Sequence, residues 1–305
     1  MYLSFITGNV LQKLSSNKKN IVFYPQNNLF DHTVFQLIDN NYYIFGDNKT
    51  NYSIPNVIDL PQSHLSLYNY NLSITNNIIG YSTSNLKKFH INSIIFTHSY
   101  RPHFIKKEDA SILNNNLSKE IKIFFSENAR KSWGINQRYE VIKYGIPKAF
   151  NNLGLERPKD VLILNFDKAV HNSQLLRAMK SRGYECDTLD SNKMSVDQLN
   201  SICNQYKICI DFADHNVVNL LCSIASGCKA IGLKTEMLAN DYGDVPGLYL
   251  INSPSEVIDA IGSIIKDTDT IEDNSVAVHE MFDFNSFSES LKNSINTINQ
   301  EAFII

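Results

Sequence analysis

Three consecutive polar residues, Asp214, His215 and Asn216, interrupt an otherwise apolar stretch running from Ile208 to Leu233. They follow the strand-type run KICIDF, which closes at Asp211, and they precede VVNLLCSIA, whose Val217, Leu220, Leu221 and Ile224 fall at helical spacing. A carboxylate, an imidazole and a carboxamide at such a turn can bind ligand hydroxyls. The helix behind them points backbone N–H groups at any phosphate held there. Asp214 or Asn216 can equally act as the cap of that helix, so a structural role stands beside the functional one. Gly227 sits where a helix C-terminal glycine is wanted, and CKAIGL reads as the next strand. Strand, helix and strand then form a parallel crossover, with ligands expected at the end of its first strand. The first half offers similar positions. His98 ends the strand-type run SIIFTHS, where a histidine can act on a hydroxyl, bind a ligand or hold structure through hydrogen bonds. Asp31 and His32 follow the NIVFYP run at another strand-to-helix turn.

These residues need a scaffold of alternating strands and helices. In residues 1–150, YLSFIT, NIVFYP, NYYIFGD, NLSITN, SIIFTHS, IKIFFS and YEVIKYGI are strand candidates, with amphipathic segments such as FDHTVFQLID and SENARKSWGI between them. DNKTNYSIPNVIDLPQSHLS, polar and with two prolines, reads as irregular. The pattern pauses from Tyr144 to Pro158, which marks an interdomain linker. It restarts with VLILNF, a helix over VHNSQLLRAMKSRG, a strand at YECDTL and a helix at SVDQLNSICNQ. After Leu233 come a loop containing Glu236, Asp241 and Gly243, a strand at GLYLI, a helix at PSEVIDAIGSIIK and one final amphipathic helix from Phe282 onward. The alternation predicts an α/β protein with mostly parallel sheets covered on both faces.

With 305 residues, 43% of them hydrophobic, the chain is long enough for two domains, 1–150 and 159–305. A net charge of -3 and a pI near 6.2 provide no global field for nucleic acid or an anionic membrane. The basic residues between Arg101 and Lys148 are a local exception, read either as an ordinary solvated face or as a face for a polyanionic acceptor. The five cysteines lack CxxC spacing and read as reduced thiols, and no stretch is long and apolar enough to span a membrane. The expected location is the cytoplasm.

The stretch from Asp214 onward resembles the large retaining group of GT-B nucleotide-sugar glycosyltransferases. That group carries an acidic residue, seven residues, a Glu, and then Ala-x-Ala-x-Gly-x-Pro-Val. Here Asp214, Ala225, Gly227 and Ile231 keep the register, while Cys222 stands in place of the Glu and Lys229-Ala230 in place of Pro-Val. YNYNLSITNN with SIIFTHS, IKIFFSENARKSWGINQRYEVIKYGIP, VLILNFDKAVHNSQLLRAMKSRG and NDYGDVPGLYLINSPSEVIDAI are similar to further parts of the same group, in the same order.

The resemblance implies two Rossmann-like domains facing each other across a cleft. Residues 1–150 would be the acceptor side and 159–305 the nucleotide-sugar side, with the last helix packing back on the first domain. It places Lys168 at the donor diphosphate, Asp214 at the transferred sugar, His215 and Asn216 near its hydroxyls and Cys222 at the ribose position; as residues alone, Lys168 reads equally as a solvated loop lysine and Cys222 as a buried helix residue. His98, Asp31 and His32 fall on the acceptor side. It implies transfer without a metal or cofactor, from a nucleoside-diphosphate sugar to a carbohydrate. Two alternatives remain: the acceptor is hydroxymethylated pyrimidine in phage DNA, or the chain is a degenerate transferase that binds sugar nucleotides without turnover.

Overall fold

The computed structural model describes residues 20–24, 41–45, 57–60, 72–75, 92–97, 120–165, 170–191, 194–212, 217–266 and 273–301. Among them, twelve strands form two sheets in which every paired neighbour is parallel. The first sheet contains β1 (Asn20–Tyr24), β2 (Asn41–Phe45), β3 (Val57–Leu60), β4 (Leu72–Thr75), β5 (Asn92–Thr97), β6 (Glu120–Phe124) and β7 (Tyr139–Val141), in the order β3-β2-β1-β4-β5-β6-β7. The second contains β8 (Lys159–Leu164), β9 (Cys186–Leu189), β10 (Tyr206–Asp211), β11 (Lys229–Leu233) and β12 (Leu248–Ile251), in the order β12-β11-β10-β8-β9. Each order reverses direction once, between β1 and β4 and between β8 and β10. Open parallel sheets hold ligands at the carboxyl ends of the strands on either side of such a reversal.

Period-two alternation explains the second sheet. Val161 and Ile163 of β8, Ile208 and Ile210 of β10 and Ile231 of β11 join Met179, Val257, Ile261 and Ile264 in a core on one face. Leu162, Leu164, Cys209 and Ala230 point into a larger core on the other. Both faces are covered, which is why these strands read as unbroken apolar runs. The segment expected to be irregular contains β3. Pro55 and Pro61 flank this strand, and β3 pairs only with β2 at the sheet edge, where neighbouring prolines cost no ladder bond.

The helices follow from caps and burial. Ser126 starts α1 (Glu127–Trp133) by accepting the Ala129 N–H, and Gly134 ends it at φ 67°. Beyond β8 lie α2 (Val170–Ser181) and α3 (Val196–Cys203), the latter opened by a reciprocal capping box between Ser195 and Gln198. All nine residues of α4 (Val217–Ala225) are buried. The expected loop after Leu233 is instead α5 (Glu236–Tyr242), capped by Thr235 and anchored by buried Met237, Leu238 and Tyr242. Its polar residues Glu236, Asn240 and Asp241, with Gly243 behind them, made it read as loop in the chain. Then come α6 (Val257–Lys266), α7 (Ser275–Met281) and α8 (Phe284–Glu301). The sequence had placed no helix at α7.

The segment between the sheets is irregular, as expected, yet it is bound down. Tyr144, Ile146 and Phe150 are buried, Ile146 N–H bonds Phe282 O at 3.0 Å, and His279 Nε2 donates to Phe150 O at 2.7 Å. Arg157 donates to the carbonyls of Cys203 (3.0 Å), Tyr206 (2.9 Å) and Ser226 (2.5 Å), which lie at or just beyond the ends of α3 and α4. Asn151 and Asn200 exchange hydrogen bonds beside it. Helix α8 packs against β5 and β6 of the first sheet, with Phe287 stacked near Tyr144 at 6.2 Å between ring centroids. Lys122, counted among the basic residues of a solvated face, is 1% exposed within β6.

Candidate functional site

At the reversal point of the second sheet, the carboxyl ends of β8 and β10 carry a closed ring of hydrogen bonds. Asn165, immediately after β8, adopts a left-handed conformation (φ 51°), which asparagine tolerates better than most residues. Its Oδ1 accepts from Ser191 Oγ at 2.8 Å and from Ser191 N at 3.2 Å, and its Nδ2 donates to Asp211 Oδ2 at 3.0 Å. Asn219, in the first turn of α4, donates from Nδ2 to the same Asp211 oxygen at 2.9 Å and to Ser191 Oγ at 3.3 Å. Asp211 is 2% exposed, Asn219 3% and Ser191 8%. Donor and acceptor roles agree around the whole ring. A carboxylate taken out of water is thus met by two carboxamide donors, the arrangement that makes a buried charge tolerable.

The ring lies at the roots of two chain segments. Asn165 leads directly into residues 166–169, and Asp211 and Asn219 bracket residues 213–216. At the carboxyl end of β5 in the first sheet, Thr97 is 3% exposed and its Oγ1 has no hydrogen-bond partner among the described residues. Far from both, at the amino ends of the second sheet, a cavity of about 140 Å³ is lined by Asn152, Arg157, Lys207 and Lys229. The guanidinium of Arg157 is spent on backbone carbonyls and Lys207 is paired with Asp160 at 2.8 Å, so that cavity is a packing feature rather than a reaction site.

No family model and no curated protein matches this chain. Its architecture has close company among solved structures. Sucrose-phosphate synthase from Thermosynechococcus elongatus superimposes with a TM-score of 0.63 at 11% identity, covering 92% of this chain and 99% of that one. A glycosyltransferase from Rickettsia africae gives 0.62 at 10% identity, with the same coverage. WaaG, a glycosyltransferase involved in lipopolysaccharide biosynthesis, gives 0.55 at 8% identity, covering 89% and 98%. The chain has the GT-B fold.

Within this GT-B fold, most of the residues singled out from the sequence lie outside the described residues: Asp31, His32, His98, Lys168, Asp214, His215 and Asn216. Described residues lie close along the chain to His98, Lys168, Asp214, His215 and Asn216, but not to Asp31 and His32. Thr97 directly precedes His98, and the ring directly precedes the segments holding Lys168 and Asp214. Cys222 is 1% exposed and belongs to the larger core cluster, and desolvation pushes its thiol well above the usual range. It packs in the core of the second sheet. Asn165, Ser191 and Asn219 had not been singled out. The available signal was Asn219, a carboxamide inside a helix whose other residues are almost all apolar. Among the described residues, no group of three or more His, Cys, Asp or Glu side chains is placed to hold a metal ion, and no helix is long and apolar enough to cross a membrane.

Proposed function

We propose that this protein transfers a sugar from a nucleoside-diphosphate sugar to an acceptor hydroxyl, without a metal ion. The observation that carries the reading is the buried Asn165–Ser191–Asp211–Asn219 ring at the reversal point of the second sheet in a GT-B fold. A ring of this kind fixes the roots of two ligand-facing segments. Such pre-organisation is worth most where charge develops during reaction.

In this reading, residues 1–150 and 159–305 face each other across the donor and acceptor crevice. Lys168 and the N-terminal N–H groups of α4 meet the diphosphate, whose negative charge grows as the bond between the anomeric carbon and the phosphate oxygen breaks. Asp214, His215 and Asn216 orient the sugar. The acceptor oxygen forms the new bond to the anomeric carbon and gives up its proton, with His98, assisted by Asp31 and His32, as the group on the acceptor side.

The test is a thermal-shift panel of nucleoside diphosphates and their sugars, followed by turnover of the best hit. A matching nucleotide raises Tm, and Lys168→Ala and Asp214→Ala each abolish turnover. Absence of a shift with every common nucleotide, or full turnover by both variants, would refute the reading.

A further inference from the structure

Two side chains between β6 and β7 of the first sheet reach a single carboxylate between β11 and β12 of the second. Ser126 Oγ donates to Asp241 Oδ2 at 2.7 Å, and Asn128 Nδ2 donates to Asp241 Oδ1 at 2.7 Å. Ser126 comes two residues after β6 and is already the cap of α1, so its hydroxyl accepts from Ala129 N–H at 2.9 Å while donating to Asp241. Asp241 is the next-to-last residue of α5, the helix that follows β11. Helices that follow strands begin at the strands' carboxyl ends, the ligand edge of each sheet.

Asp241 is badly placed for its own helix. A carboxylate in a last turn opposes the partial negative charge of the terminal carbonyls, and cations are preferred there. Both its oxygens are directed instead at donors from the other sheet's helix. Other links between the sheets differ in kind. The segment from Ile142 to Pro158 is continuous chain, and Phe287 of α8 makes ring contacts with Tyr144 of that segment and with Phe125 just beyond β6. These rings lie in the buried core, and Ser294 of α8 adds a partly buried hydrogen bond to Glu140 of β7. The Asn128–Asp241 bond is exposed, so water can replace it with little penalty.

We infer that Asp241 is a releasable clasp between the two sheets, and that its state sets how far the crevice at their carboxyl ends opens. The mechanical claim needs no substrate. Its consequence for turnover rests on the sugar-transfer reading.

Nitroxide labels at Val141→Cys on β7 and Tyr249→Cys on β12, both exposed in the parent, report the separation of the sheets in the full-length, ligand-free protein. All five native cysteines are buried and stay unlabelled. The clasped protein gives one narrow distance distribution by pulsed electron paramagnetic resonance. Asp241→Ala, and separately Ser126→Ala with Asn128→Ala, raise the ratio of long to short distances by roughly tenfold, the order expected for losing one net hydrogen bond once the exposed Asn128–Asp241 bond is discounted for competition with water. Asp241→Asn preserves volume and gives a smaller shift in the same direction, which guards against a variant that merely unfolds. The exchange Ser126→Asp with Asp241→Ser rebuilds a cap and a donor–acceptor pair with the roles reversed, and restores the narrow distribution. Superimposable distributions for the parent and Asp241→Ala, or an exchanged pair that stays as broad as Asp241→Ala, overturn the clasp. A panel of nucleoside diphosphates (UDP, GDP, ADP, CDP and TDP) added to the same samples reports separately on the proposed function: lack of a Tm shift with all of them counts against sugar transfer and leaves the ligand-free distances untouched.

Discussion

Asp211→Ala is the most informative single change. In the parent, Asp211 Oδ2 accepts from Asn165 at 3.0 Å and from Asn219 at 2.9 Å, in a site where the aspartate is 2% exposed. Hydrogen bonds to a charged group are each worth about 1.5–3 kcal/mol, and removing this acceptor takes a partner from the half-buried Asn165 and from the buried Asn219. Two effects soften the loss. The variant no longer keeps a carboxylate out of water, and Asn219 retains Ser191 Oγ at 3.3 Å. Leaving a buried donor without its acceptor costs about 1–3 kcal/mol, so a net destabilisation of about 1–4 kcal/mol is expected, a large share of the roughly 5–15 kcal/mol of a typical protein. Urea unfolding with linear extrapolation gives the number, provided the slope is unchanged. Asp211→Asn keeps the shape and one acceptor and falls between parent and alanine variant. If the nucleotide crevice depends on the ring, nucleotide-induced stabilisation is lost in parallel, even under conditions where the variant remains folded. An Asp211→Ala protein within about 0.5 kcal/mol of the parent, the range of ordinary surface substitutions, would refute the account of the ring.

Three further expectations follow from the packing and the charges. Gly145→Ala places a methyl group 2.4 Å from Phe287 Cβ, so overpacking lowers the urea midpoint by the equivalent of about 1–3 kcal/mol, and an unchanged midpoint means that α8 shifts freely at this contact. Asp187 is held below the usual carboxylate range by a hydrogen bond from Lys159 at 2.8 Å and then by the Tyr206 hydroxyl, and Lys159 is correspondingly raised. The aspartate's contribution is present above its unfolded value of about 3.9 and is lost as pH falls through the lower folded value. That of the lysine is present below about 10.4 and lost as pH rises through the folded value. The stability gap between parent and Asp187→Asn should therefore be flat from about pH 5 to 9 and close below about pH 4; a gap that persists in acid contradicts the assignment. Burial pushes the Cys186 thiol up to about 11, hydrogen bonds among Cys203, Cys209 and Cys228 together with burial hold those three well above the usual thiol range, and burial does the same for Cys222, so iodoacetamide at pH 8 leaves all five unmodified in the native protein and alkylates all five in urea, as counted by intact mass.

The sheet strands were the most legible part of the chain, because a strand buried on both faces writes itself as an apolar run: β8 and β10 are visible as VLIL and ICI. β3 was hidden by its prolines, which count against a strand only when they fall inside a ladder. The short helices left uneven traces: α1, seven residues long, was announced between Ser126 and Gly134, whereas α5 and α7, equally short, were not. The site was legible in outline, as polar residues ending strands at the right places. The partnership of Asn165, Ser191, Asp211 and Asn219 was not, because it joins four positions spread over β8, β9, β10 and α4 that become neighbours only once the strand order is known. Cys222 shows the converse: register with a known pattern located the position, but its thiol makes it a core residue.

The anchoring of residues 151–157 redraws the domain boundary. By periodicity the second unit begins at Lys159, after the linker. By hydrogen bonds it begins earlier: Arg157 closes carbonyls at the ends of α3 and α4, Leu153 N–H bonds Asn204 Oδ1 at 2.8 Å, and Asn151 and Asn200 pair side chain to side chain. Gly227, at φ +89°, lies against Arg157, where a Cβ would fall 2.3 Å from its Nη2. A fragment starting at Lys159 would lose these donors and expose carbonyls and helix ends that the whole chain covers. One starting at Tyr144 keeps them, and should unfold as a single cooperative unit at markedly higher urea. The stretch that looks like a tether between two halves is thus part of the foundation of one of them.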